Sequence, residues 1–130
     1  MEFTALAERI MASDNNIRSV CVLGIDGSML HLLERDGYGR RRLPNGFFKQ
    51  VAIEAEMYRI LSDEYGDVRF TYVERARAKQ LIVFGKGGML VVSLEPSIDT
   101  SKALQVVDAV MKTVKAVTVS VSHDRQRVDR

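Results

Sequence analysis

Gln80-Leu81-Ile82-Val83-Phe84-Gly85-Lys86-Gly87-Gly88-Met89-Leu90-Val91-Val92-Ser93-Leu94 holds two short apolar runs around a glycine-rich tetrad. Each run is too short for a helix and rich in β-branched residues. The pattern predicts strands over Gln80 to Phe84 and Met89 to Leu94, with the tetrad as their turn. Just upstream, Val68 to Val73 predicts another strand, followed by a turn over Glu74 to Lys79. Three strands so close in sequence leave no room for a crossover, so they pair antiparallel as a meander.

Working outward, Ile17 to Leu23 is a fourth strand. Its centre, Val20-Cys21-Val22-Leu23, is continuously apolar, which marks a central strand covered on both faces. Gly24-Ile25-Asp26-Gly27 has Asp-Gly turn chemistry, and Met29 to Leu33 returns as the fifth strand of a hairpin. Before it, Phe3, Leu6, Ala7, Ile10 and Met11 make one apolar helical stripe, stopped by Ser13-Asp14-Asn15-Asn16. Glu34 to Gly46 is polar and broken by glycine and proline, and reads as a loop.

A second helix runs from about Phe47 to Tyr65, with Val51, Ala55, Tyr58, Leu61 and Tyr65 along one side. Phe47, Phe48, Ala52 and Met57 widen its apolar surface, and Gly66 ends it. Asp99 is the expected N-cap of the last helix, whose stripe is Leu104, Val107, Val110, Met111 and Val114. Val117, Val119 and Val121 alternate with polar residues, the pattern of a short extra strand. The polar tail, residues 118–130, is otherwise expected to be disordered.

Together these elements predict an α+β fold of order α-β-β-α-β-β-β-α, an α/β/α sandwich. It has a five-stranded antiparallel sheet with helices on both faces. The strand Val68 to Val73 follows a crossing helix and is expected at a sheet edge, with Val68, Phe70 and Tyr72 pointing one way. No proline or lysine interrupts it. A bare β-edge is an aggregation hazard, and pairing with a second copy in a twofold dimer resolves it.

Composition narrows the function class. The 130 residues form one domain, and 46% hydrophobic with 28% charged is ordinary for a globular protein. A formal charge of +2 is too small by itself to imply a nucleic-acid protein, and no nucleic-acid partner is expected. One cysteine fits a reducing compartment, and the start Met1-Glu2-Phe3 lacks the basic, apolar pattern of a signal peptide. A cytoplasmic protein with no membrane span is expected.

No reactive constellation is visible. Cys21 and His31 sit on paired strands, but no third orienting group accompanies them, and Cys21 reads as a small buried hydrophobe. Two histidines and one cysteine are too few for a metal site. Gly85-Lys86-Gly87-Gly88 lacks Walker spacing and joins two strands, so it reads as a hairpin turn. Glu54 with Glu56, and Asp63 with Glu64, are solvated helix charges. Arg40-Arg41-Arg42 and Arg75, Arg77, Lys79 are two basic clusters, either solvated or set to meet phosphate or an acidic protein surface. Tyr58 and Tyr65 are core residues or dimer anchors.

With these elements in place, the chain resembles the roadblock/dynein-light-chain domain family, related to the longin and profilin-like folds. The resemblance covers about Phe3 to Val117 and makes residues 1–117 the roadblock-like domain. It rests on element order, on Ser19-Val20-Cys21-Val22-Leu23-Gly24-Ile25-Asp26-Gly27, and on Leu90-Val91-Val92-Ser93-Leu94-Glu95-Pro96 running into a closing helix. Ile17–Gly27 and Tyr65–Leu94 are also similar to small archaeal proteins of this type. The resemblance implies no catalysis and no cofactor. It implies a homodimer or heterodimer made through the middle helix and third strand, serving as a platform for small Ras-like GTPases or motor subunits. The implied dimer surface is Phe48, Val51, Ala55, Tyr58, Leu61 and Tyr65 with Val68, Phe70 and Tyr72. Arg40, Arg41, Arg42, Arg75 and Arg77 are the candidate partner contacts. A profilin-like module holding a small ligand, and a nucleic-acid accessory protein using the arginines, are the alternative functions.

Overall fold

The computed structural model describes residues 3–35 and 45–128 of the chain. Strand β1 (Ile17–Leu23) lies inside the sheet. It pairs antiparallel with β2 (Met29–Glu34) on one side and with β5 (Gly88–Leu94) on the other. Beyond β5 come β4 (Ala78–Gly85) and then β3 (Phe70–Arg75), so the order is β2-β1-β5-β4-β3. Every neighbouring pair is antiparallel. β2 and β3 are the two edges.

Strand alternation sorts the side chains onto two faces. Val20, Val22, Leu81, Leu90 and Val92 meet a layer made by α1 (Phe3–Ser13) and α4 (Thr100–Val128). There Leu6, Ala7, Ile10, Ala103, Val106 and Val110 are buried. On the other face Cys21, Leu23, Ile82, Met89 and Val91 meet α2 (Asn45–Arg59), which buries Val51 and Ala55. β1 and β5 are therefore covered on both sides, which is why both are continuously apolar. The expected α/β/α sandwich is the architecture found.

Local chemistry sets the turns. The Asp26 carboxylate accepts from the Ser28 amide at 2.9 Å and the Ser28 hydroxyl at 2.6 Å, closing the β1–β2 hairpin. Asp99 caps α4 as expected, accepting the Lys102 amide at 2.7 Å. The end of α1 is held by a residue the sequence does not single out. Arg35 donates to the carbonyls of Met11 and Ile17, each at 2.7 Å.

Four expectations need correction. The helix over Phe47 to Tyr65 is broken into α2 and a short α3 (Ser62–Tyr65), because the Ser62 hydroxyl donates to the Arg59 carbonyl at 2.8 Å and competes with the helical ladder. Leu104 is half exposed; the rest of the expected α4 stripe holds, with Val107 and Val110 buried and Met111 and Val114 packed against the core, and Ala103 and Val106 complete it. No separate strand forms over Val117 to Val121. Helix α4 instead continues to Val128, since no glycine or proline follows Pro96 to stop it. Finally, β3 begins at Phe70, leaving Val68 in the segment before it.

Candidate interaction surface

The free margin of β3 is fixed by its pairing with β4. The Phe84 amide donates to the Arg69 carbonyl at 2.9 Å, making Arg69 and Phe84 a hydrogen-bonded pair. In an antiparallel ladder such pairs alternate, so Thr71, Val73 and Arg75 direct their backbone groups to β4. Phe70, Tyr72 and Glu74 direct theirs outward, and among the described residues they meet no partner.

Side chains divide differently. Phe70 and Tyr72 stand opposite Val83 and Leu81, on the face of α1 and α4, while Thr71 and Val73 stand on the face of α2. Phe70 is 41% exposed. Tyr72 packs against the α1–α4 core and its hydroxyl donates to Glu74 at 2.9 Å. Burial, with Glu74 beside it, pushes the Tyr72 phenol up to about 12. Glu74 also accepts from the Thr100 hydroxyl at 2.8 Å, so its carboxyl is held below the usual range by hydrogen bonds from Thr100 and Tyr72. This cluster ties β3 to the start of α4.

The middle helix presents a different surface from the one its sequence stripe suggests. Val51 and Ala55 are buried on the sheet. Phe48 stacks edge-to-face on Phe47 at 5.6 Å, and Tyr58 does the same on Phe84 at 5.4 Å. Phe47, Phe48 and Tyr58, with the buried Val51 and Ala55, anchor α2 to its own sheet. The outer side carries Ile53 and Met57, and after it come Ile60, Leu61 and Tyr65, all more than half exposed. Of these, Leu61 and Tyr65 were named from the sequence, and Ile53 and Ile60 were missed. The available signal was the surplus of apolar residues around the helix, more than one buried face can use.

Arg75 and Arg77 are exposed at the β3–β4 turn. Arg40, Arg41 and Arg42 lie outside the described residues. Cys21 and His31 do not meet. Their neighbours in register, Leu32 and Val22, place them on opposite faces of the sheet. Burial also pushes the Cys21 thiol up to about 11, far from a nucleophilic thiolate. No helix among the described residues is long and apolar enough to cross a membrane.

An open sheet edge beside an apolar helix face, on an α-β-β-α-β-β-β-α frame, can be compared with known proteins. No family model matches the chain, and no curated relative matches it. Solved structures do. A roadblock/LC7 domain from Streptomyces avermitilis superposes with a TM-score of 0.64 at 17% identity, covering 94% of this chain and 99% of that one. The fold is that of the roadblock/LC7 domain. MglB from Myxococcus xanthus gives a TM-score of 0.63 at 14% identity, covering 92% of this chain and 99% of MglB. A profilin from Schizosaccharomyces pombe gives 0.61 at 13%, covering 89% and 98%. At such identities the roadblock likeness speaks for the fold alone.

Proposed function

We propose that this chain is a non-catalytic, dimeric adaptor of the cytoplasm that binds or regulates a small Ras-like GTPase. One observation carries the dimer. Among the described residues, β3 offers an unpaired row of backbone groups at Phe70, Tyr72 and Glu74, beside a helix whose outer apolar residues stand exposed. Soluble proteins rarely leave either feature bare. A twofold axis at Tyr72 would join two copies of β3 antiparallel and make one continuous sheet. It would also bring the outer faces of α2 toward each other. Phe70, Tyr72, Leu61 and Tyr65 then serve the seam as the resemblance implies, joined by Ile53, Met57 and Ile60. Phe48, Val51, Ala55 and Tyr58 support it from the core side.

The partner assignment rests on the roadblock fold and its resemblance. Arg75 and Arg77, exposed near the seam's end, are the described residues best placed to meet an acidic surface. Sedimentation of the purified chain tests assembly, and a pull-down with GDP and with a GTP analogue tests the partner. A monomeric mass, or recovery of no GTPase with either nucleotide, rejects the respective half.

A further inference from the structure

A cleft of about 500 Å³ opens between the last turn of α2, the segment leading into β3 and the β4–β5 turn. The edge-to-face rings of Tyr58 and Phe84 form part of its lining, with Met89 beside them. The hydrogen bond from the Phe84 amide to the Arg69 carbonyl pins the segment before β3 to this lining. Three cations, Arg59, Arg69 and Lys86, line the cleft against one carboxylate, Asp67. Glu56 holds Arg59 at 2.7 Å, but neither Arg69 nor Lys86 forms an ion pair among the described residues.

We propose that this cleft binds a small amphipathic acid, an aryl or short-chain carboxylate. Its apolar body lies on Tyr58, Phe84 and Met89, and its anion is held by Arg69 and Lys86. The volume lies within the few hundred to about 1,000 Å³ usual for small-molecule sites, which combine apolar walls with a few polar anchors. Aromatic edges and faces suit an aryl ring, and the planar guanidinium fork suits a carboxylate. Two cations without an ion pair among the described residues, beside an apolar wall, raise a positive local potential that an anion relieves and a cation worsens. All the residues involved come from one copy of the chain, so the site does not rest on the adaptor reading.

The test is a titration of the full chain with phenylbutyrate, followed by amide-resolved NMR, with phenylbutylamine and phenylbutanol as matched cationic and neutral probes. Phenylbutyrate is expected to shift saturably the amides of Tyr58, Arg69, Phe84 and Lys86. The amine and the alcohol should bind about tenfold more weakly or worse, as should the acid to an Arg69→Gln, Lys86→Gln double variant. No saturable shift, equal binding of the three probes, shifts centred elsewhere, or a double variant that binds the acid like wild type would each overturn the proposal. A wild-type chain that proves monomeric yet binds the acid would reject the dimer and keep the cleft.

Discussion

Gly27 lies directly beneath Phe48: a β-carbon at Gly27 would come within 2.8 Å of the Phe48 carbonyl oxygen. The same atom would crowd the Ala52 β-carbon at 3.3 Å, and Gly27 itself has φ of +86°. The β1–β2 turn is thus the seat on which the first turns of α2 rest. Gly27→Ala adds backbone strain of roughly 1–2 kcal/mol to a clash with main-chain atoms. A loss of at least about 2 kcal/mol in denaturant-derived stability is expected. Gly88→Ala should be worse, because its β-carbon would run into the Leu23 carbonyl.

Charges on the proposed seam should separate association from folding. Phe70→Glu and Met57→Glu alter residues that are 41% and 60% exposed in one copy, so each monomer should still fold, with a thermal midpoint lowered only by the lost association. Burying an unpaired carboxylate in a shared seam costs several kcal/mol. Both variants are expected to sediment at half the wild-type mass with an unaltered far-ultraviolet spectrum. Wild-type mass in both would remove the seam from β3 and α2.

Arg35 is a structural clamp. It reaches from the end of β2 to the Met11 carbonyl at the last turn of α1, where a cation also opposes the helix dipole. Arg35→Met should lower stability by about 2 kcal/mol, the scale of hydrogen bonds to a charged donor. Urea unfolding is the measurement. A change within about 0.5 kcal/mol, the range of ordinary surface substitutions, would show the clamp to be idle.

Stability should fall at both ends of the pH range. Hydrogen bonding from Arg18 lowers the Glu95 carboxyl, and hydrogen bonds from Thr100 and Tyr72 lower that of Glu74, each from an ordinary value of 4.5. Folding therefore favours their ionised forms. That contribution is complete above the unfolded value and is lost as pH drops through the folded values. Thermal midpoints should decline below about pH 4.5, less steeply in Glu95→Gln. Tyr72 behaves in the opposite sense. The unfolded phenol ionises near 10.0 and the folded one only at about 12, so stability declines between them, and Tyr72→Phe removes that share.

The Cys21 thiol, buried and raised to about 11, should react with a disulfide probe only through opening of the fold. Its modification rate in native buffer should rise with denaturant in step with unfolding. Rapid labelling of the folded protein at neutral pH would contradict the placement of Cys21 under α2.

The short, continuously apolar runs within Ile17–Leu23, Ala78–Gly85 and Gly88–Leu94 and the turn chemistry at Asp26-Gly27 and Asp99 are local properties. Element order, the antiparallel meander and the edge position of β3 were therefore legible from the chain alone. Which side of a helix meets the sheet is not local. Val51, Ala55 and Tyr58 share one apolar stripe with Leu61 and Tyr65, and only the break at Ser62 and the seating of α2 over Gly27 separate core from surface. The same holds for Arg35, Arg69 and Lys86. Their charges are plain in the sequence, but their roles come from chain segments far apart in sequence, which only packing brings together.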